Sequence, residues 1–138
     1  RSHKADWRRR DRYEARRVQE GIDAISARQE AERRKQKKLE KSYEDFVKLL
    51  TFVEFLEEDD FWRSEVVQIV ARTTSSGALE VDLVPRSGRF RILFGRLEEV
   101  EEKFDRLAAF YRRGLGRLGW DEFATVSVKY RGRVVCRK

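Results

Sequence analysis

The sequence has few of the residues that build redox centres, metal sites and tight turns: of 138 residues, one is Cys, one is His, one is Pro and none is Met. With Cys136 alone, no intrachain disulfide can form, and cysteine pairing gives no information on the compartment. The one histidine, His3, has no ligand set around it at metal-site spacing. No run approaches the roughly 18 consecutive apolar residues of a membrane helix, so none is predicted here. Because no Met begins the chain, we expect a soluble fragment excised from a longer protein.

Charge is abundant and lies mostly at one end. Asp, Glu, Lys and Arg make up 41% of the residues, whereas roughly 25% is usual in globular domains. Residues 1–42 hold 15 Lys/Arg and 8 Asp/Glu and so carry the whole net charge of +7, while residues 43–138 are balanced. We therefore divide the chain into a basic arm or linker, 1–42, and one globular domain, 43–138.

The arm has the composition of a helix without a core. It contains no proline, and its large apolar residues are few, with none between Ile25 and Leu39. Pairs of opposite charge four residues apart, such as Glu30 and Arg34, stabilise such a helix by only about 0.2–0.5 kcal/mol each. We expect a long exposed helix that serves as a solvated linker. The alternative is a basic arm that binds nucleic acid or an anionic membrane.

Residues 43–138 have the pattern of an α+β domain. Apolar residues recur every three or four positions over 43–56, which predicts an amphipathic helix with Ser42 and Asp45 as its capping pair. A second amphipathic helix is predicted over 97–115. Alternating and β-branched stretches predict five strands, at residues 65–72, 78–84, 89–94, 124–130 and 133–137. This order favours an α+β fold in which the helices pack on one face of an antiparallel sheet.

No constellation of catalytic or metal-binding residues occurs in the sequence. The acidic clusters at 57–60 and 98–102 lie at a helix end and a helix start, and the helix dipole accounts for the second cluster. The glycines of GLGRLG (114–119) follow a helix, whereas a dinucleotide site needs them between a strand and the next helix. Cys136 closes an apolar strand and has no neighbouring His to act as a base. We predict no enzyme activity, no cofactor and no metal site.

Two short segments, 110–113 and 129–131, place aromatic residues beside basic ones. Such side chains stack on bases in proteins that bind single strands. The neutral balance of residues 43–138 removes the attraction to phosphates on which this binding depends. Nucleic acid is therefore not the expected partner of this domain.

The C-terminal two thirds of the chain carries a series of motifs that resembles a known family. In chain order they are Phe61-Trp62, Glu65 to Ile69, Leu79 to Gly95 (LEVDLVPRSGRFRILFG), Glu101 to Leu115 (EEKFDRLAAFYRRGL), Gly119-Trp120 and Val126 to Cys136 (VSVKYRGRVVC). Over about residues 43–138 this order is similar to the β domain of the bacterial cell-division family FtsQ/DivIB.

The resemblance implies a scaffold of the divisome and not an enzyme. Family members are single-pass inner-membrane proteins with a POTRA domain followed by this β domain in the periplasm. They bind the division proteins FtsB and FtsL and so help to recruit the septal peptidoglycan synthesis machinery. The contact is a strand of FtsB added to the last strands of the β domain, where an edge leaves backbone groups unpaired.

Matched position by position, the resemblance implies that Tyr130 lies at the partner contact. Arg133, Val134, Val135 and Arg137 follow it on the terminal strand. For Val134, packing in the core is an equal alternative to partner contact. Residues 1–42 depart from the family pattern, because they lack the alternating strands of a POTRA domain.

Overall fold

Nearly the whole chain is described by a computed structural model, which covers residues 2–115, 117, 119 and 121–138 and leaves out the side chains of residues 2–5 and 115. Gly116 of the glycine-rich segment and Trp120 of the Gly-Trp motif lie outside the described residues. The chain divides into two compact units, Arg1–Glu44 and Asp45–Lys138.

The first helix, α1, runs from Ser2 to Glu58. Within the first unit, every residue from 6 to 44 is exposed, as expected for a helix without a core. The prediction that a separate helix begins after Ser42 is wrong, because α1 is continuous through this point. No Gly or Pro occurs between residues 22 and 58, so the chain has no residue there that would end a helix.

The second unit buries only one part of the apolar pattern of α1. Phe52 and Leu56 are buried, and Phe55 packs against the core at its margin. Phe46 and Leu50, which the three- and four-residue spacing includes in the amphipathic face, are exposed. A short helix, α2 (Asp60–Glu65), follows, and the Asp59 side chain caps it by accepting hydrogen bonds from the backbone N–H of Phe61 and of Trp62 at 3.0 Å.

Five strands form one sheet in the order β1-β2-β3-β4-β5. The strands are β1 (Val66–Thr73), β2 (Leu79–Pro85), β3 (Arg91–Gly95), β4 (Thr125–Ser127) and β5 (Val135–Arg137). Helix α3 (Val100–Phe110), followed by a π-helical turn (Tyr111–Leu115), connects β3 to β4. The α+β class is confirmed.

The predicted antiparallel sheet needs one correction, because β3 and β4 pair in parallel, with Ile92 opposite Val126. The other neighbours, β1–β2, β2–β3 and β4–β5, are antiparallel. Parallel neighbours require a crossover of a dozen or so residues, and the α3 segment supplies that connection. The sheet is therefore mixed.

The core lies between the helices and one face of the sheet. Alternate strand residues, and Val128 just after β4, are buried in it: Val81, Leu83, Ile92, Phe94, Val126 and Val128. The ring of Phe94 lies 5.0 Å from the rings of both Phe52 and Phe104, which come from α1 and α3. Each such aromatic pair adds about 0.5–1.5 kcal/mol to the free energy gained by area burial.

A buried carboxylate joins three elements of this unit. Glu65, at the end of α2, accepts hydrogen bonds from Tyr111 Oη at 2.8 Å and from Ser87 Oγ at 2.5 Å. Burial and the adjacent Glu65 carboxylate raise the pKa of Tyr111 far above its ordinary value. The tyrosine therefore stays protonated and donates to Glu65 at neutral pH.

Candidate partner-binding site

The terminal strand β5 is an edge of the sheet. Its Val135 pairs with Ser127 of β4 and its Arg137 with Thr125, and no other described strand pairs with it. An edge strand presents the N–H and C=O groups of its outer side to any strand that approaches. β5 is only three residues long, so the backbone alone offers a short docking line.

The turn before β5 is held in place by Arg106 of α3. Its guanidinium donates hydrogen bonds to the carbonyl oxygens of Tyr130, of Arg133 at 2.8 Å and of Val128 at 3.4 Å. Gly132 completes the turn with φ of 72°, a conformation that glycine adopts without strain. Because Arg106 already uses two of the carbonyls in the turn, the outer edge that remains for a partner strand is β5 itself.

The predicted site residues divide between the two faces of the sheet. Tyr130, Val135 and Arg137 lie together along a shallow cleft of about 370 Å³ on the face away from the core, which Leu93, Thr125, Ser127 and Lys129 also line. Val134 packs against the core instead, as does Cys136. Arg133 is exposed, and its guanidinium carbon lies 5.9 Å from the centre of the Tyr130 ring.

The Tyr130 side chain is half exposed, with 50% of its surface accessible. A large aromatic ring that keeps this exposure beside an edge strand is a ready anchor for another chain, since Tyr is enriched where interfaces concentrate their binding energy. The arginine beside it can stack on the ring or turn towards a partner carboxylate. The cleft therefore combines an aromatic anchor, an apolar floor at Val135 and the cation of Arg137, with Arg133 beside the ring.

Charges around the cleft are partly neutralised. Lys129 lies 3.4 Å from Glu80, and Arg131 lies 3.2 Å from Glu99. Among the described residues, neither Arg133 nor Arg137 forms an ion pair. Two cations thus remain available beside the edge, and acidic side chains on an incoming strand would complement them.

Farther along the same face, charged residues form a ladder across the first three strands. Arg72 of β1 lies 2.6 Å from Asp82 and 3.3 Å from Glu80, both on β2. The close contact with the Asp82 carboxylate is the main cause that raises the pKa of Arg72. Arg91 of β3 lies 3.9 Å from Asp82. These acids are already matched by bases, so they do not form a free anionic site.

Two features of the site were missed from the sequence. Arg106 is one polar residue in an amphipathic helix, and nothing in the sequence reveals that its acceptors are carbonyls more than 20 residues away. β1 is the other edge of the sheet and is eight residues long. Its register shifts between Val66 and Gln68, an irregularity of the kind that protects natural edges from pairing.

Other chemistry is limited within the described residues. No group of three or more His, Cys, Asp or Glu side chains among them is arranged to hold a metal ion, and the His3 side chain lies outside the description. Burial raises the pKa of the Cys136 thiol, so the protonated form, which is the weaker nucleophile, predominates at neutral pH. Tyr111, from the aromatic and basic segment 110–113, is buried against Glu65 and presents no face for a base. Of the helices described, none has the combination of length and apolar character that a bilayer span requires.

Comparison with known proteins gives one family. A protein-family model described as FtsQ/DivIB, C-terminal related, matches residues 29–137. No curated protein and no solved structure matches the chain. The matched residues cover more than half of the sequence and include all five strands and the candidate cleft.

Proposed function

From the premise that this chain belongs to the FtsQ/DivIB C-terminal related family, we propose that it binds FtsB/FtsL-like division proteins by strand addition at β5. Family membership gives the chain a role in cell division, and the family consists of non-enzymatic, membrane-associated scaffolds that work through other division proteins. Within this family role, we further propose that the domain lies in the periplasm and belongs to a protein that a single span anchors in the inner membrane. There it helps to recruit the septal peptidoglycan synthesis machinery.

The edge position of β5 is the observation that carries the proposal. A partner segment in extended conformation completes the outer hydrogen bonds of Val135–Arg137 and continues the sheet. Alternate side chains of such a segment face the cleft that Tyr130 and Arg137 line. Arg106 fixes the turn that presents both the ring and the edge, so it acts as a positioning residue.

The free energies involved indicate that side chains supply most of the binding affinity. Three added residues offer about three backbone hydrogen bonds, each contributing roughly 0.5–1.5 kcal/mol. Association costs about 4–15 kcal/mol in lost freedom of motion, so these bonds alone cannot hold a partner. The remaining binding free energy has to come from side chains beside the edge. Those available are the Tyr130 ring and two arginines that form no ion pair among the described residues, Arg133 and Arg137. The preferred partner segment is therefore extended, acidic and equipped with an apolar side chain.

Titration with the soluble portion of the cognate FtsB/FtsL pair, combined with amide exchange, tests this assignment. We expect exchange to slow across residues 135–137 of β5 and to stay unchanged across β1. Val135→Glu, which places a charge in the cleft, should weaken binding by at least about tenfold, and so should Tyr130→Ala.

Matched substitutions elsewhere separate the site from general effects. Val67→Glu makes the same change at an exposed position of the β1 edge, and Tyr13→Ala removes an exposed ring from the arm. Both should bind within about twofold of the unaltered chain. Slower amide exchange in β1, with binding weakened by Val67→Glu and not by Val135→Glu, would show that the partner binds at the opposite edge of the sheet. Failure of the cognate pair to bind at all would overturn the proposed partner.

A further inference from the structure

The large apolar residues between positions 15 and 43 of the first unit follow a heptad repeat, whereas Trp7 and Tyr13 lie off it. Positions 15, 18, 22, 25, 29, 32, 36, 39 and 43 alternate in steps of three and four, and they are occupied by Ala, Val, Ile, Ile, Gln, Glu, Gln, Leu and Tyr. We call these nine positions the heptad stripe. Every Val, Ile, Leu and Tyr between residues 15 and 43 lies on it, and none of the nine Lys and Arg in that segment does. A spacing that averages 3.5 residues is the signature of a coiled-coil seam.

The heptad stripe lies on a formed helix, and its apolar side chains are exposed. It lies within α1, so its residues share one side of a continuous helix that is about 40 Å long over these residues. Its large apolar side chains are between 50% and 70% exposed: Val18, Ile22, Ile25, Leu39 and Tyr43. Scattered apolar residues on a helix need no partner, but a segregated seam of this length favours another helix against it.

The residues beside the stripe decide which kind of helix fits. The flanking positions in the middle of the stripe carry three bases, Arg28, Arg33 and Lys35, and the two flanking acids, Glu14 and Glu40, lie near its ends. Flanking charges choose the partner of a coiled coil, because they meet across the seam. The three bases in the middle of the stripe complement a helix whose own flanks are acidic there.

A second copy of this chain fits poorly. In a parallel pair, Arg28 of one copy lies beside Arg33 of the other, which offsets the favourable contact of Lys35 with Glu40. Glu32 then faces its own counterpart inside the seam, where like charges are most costly. An antiparallel pair that sets Ile22 opposite Leu39 brings Arg28 beside Lys35. Each arrangement places like charges together.

We propose that the heptad stripe forms one strand of a heterotypic coiled coil with a partner helix that has apolar seam positions and acidic flanks. The stretch Gln29, Glu32 and Gln36 interrupts the apolar seam, and a single base at the matching position of the partner would neutralise Glu32. Such a polar interruption fixes register at some cost in affinity. The stripe belongs to the first unit and β5 to the second, so this proposal does not depend on strand addition at β5.

A designed peptide tests the stripe directly in the full 138-residue chain. The probe has four heptads with Ile and Leu in the seam, Glu on the flanks and one Lys to meet Glu32, and a second probe carries Lys on its flanks. We expect the chain alone to sediment as a 16.5 kDa monomer and to bind the acidic probe one to one. Binding of the basic probe should be weaker by at least about tenfold.

Substitutions on one helix separate the seam from net charge. Ile25→Glu and Leu39→Glu should each weaken binding of the acidic probe by at least about tenfold. Ala27→Glu changes the charge equally but lies off the stripe, and it should bind within about twofold of the parent. Circular dichroism at 222 nm checks that each variant keeps its helix.

Three outcomes would overturn the proposal. A homodimer that Ile25→Glu disperses would identify a second copy as the occupant. If Ile25→Glu leaves binding of the acidic probe unchanged, the probe binds to the positive charge of the arm and not to the apolar seam. Failure of the acidic probe to bind, with capture of phosphatidylglycerol vesicles or duplex DNA that high salt abolishes, would assign the arm to anionic surfaces.

Discussion

Residues 6–44 and residues 45–138 contain helix of similar regularity but differ in what stabilises it. In the first region every residue is exposed, and only local propensity and charge pairs such as Glu30–Arg34 support the helix. In the second region α1 carries Phe52, which is only 2% exposed and stacks on other rings. Helix formation thus needs only suitable neighbours in sequence, whereas burial needs a sheet to pack against.

The largest expected effect comes from testing an apolar side chain in each region. Phe52→Ala should lower the free energy of unfolding of the domain by about 3–5 kcal/mol, because a cavity remains between Phe94 and Phe104. Ile25→Ala, at a position that is 57% exposed, should change it by less than about 0.5 kcal/mol. Urea denaturation followed by near-ultraviolet circular dichroism measures both. Similar losses of stability from the two substitutions would contradict the difference in burial between the two regions.

An arginine of the second region is expected to have the next largest effect. Arg106→Ala should destabilise the domain by about 2 kcal/mol, because it leaves the carbonyls of Tyr130, Arg133 and Val128 without their donor. Amide exchange should quicken over residues 129–134. Arg112→Ala, at an exposed position nearby, is the control and should leave both stability and exchange unaltered. Unchanged exchange in Arg106→Ala would show that the turn holds without the clamp.

The buried tyrosine makes the second region sensitive to alkali. The folded-state pKa of Tyr111 is raised above its ordinary value of 10.0 by burial and by Glu65. The stabilisation is therefore complete below pH 10 and declines as pH rises from 10 towards the raised pKa. Tyr111→Phe should cost about 1 kcal/mol at pH 7 and give a flatter stability curve above pH 10. Thermal unfolding across that range measures the difference, with Tyr13→Phe in the arm expected to match the parent curve.

The smallest effect concerns an ion pair of the exposed helix. Glu30→Ala removes the 3.6 Å ion pair between Glu30 and Arg34, two side chains that are both largely exposed. Helix content should fall by an amount equivalent to about 0.2–0.5 kcal/mol at low salt and by less at high salt. In the second region Glu80→Ala should cost more, about 1 kcal/mol, because Glu80 is partly buried between Arg72 and Lys129. Equal losses would mean that burial does not distinguish the two regions.

Several predictions made from residue patterns are confirmed. Alternation predicted the first three strands to within two residues of β1, β2 and β3, and it predicted the α+β class. The motifs from Phe61 to Cys136 indicated the FtsQ/DivIB family, which the match over residues 29–137 confirms. These signals are local, or they are short motifs in a fixed order, and both can be recognised along a chain. The assignment of Tyr130, Arg133, Val134, Val135 and Arg137 to a partner stays a prediction.

Other features could not be predicted from the pattern. The spacing of apolar residues was taken to bury one face of a helix over 43–56, yet Phe46 and Leu50 are exposed while Phe52 and Leu56 are buried. The pairing of β3 with β4 was expected to be antiparallel and is parallel. Both the burial along α1 and the direction of β4 depend on the positions of segments distant in the chain. The pattern of neighbouring residues does not specify those positions.

The helical arm, the first three strands and the heptad stripe follow from the amino-acid sequence alone, because each depends on propensity and spacing among residues close in the chain. The last two strands, predicted at 124–130 and 133–137, are shorter in the structure. The packing of the domain is needed to explain that β5 is an edge, that Tyr130, Val135 and Arg137 share a cleft, and that Val134 packs inward. Those facts require β4 to lie beside β3 and Arg106 to reach the turn before β5. They arise from contacts between residues more than 20 positions apart, which form only when the core assembles.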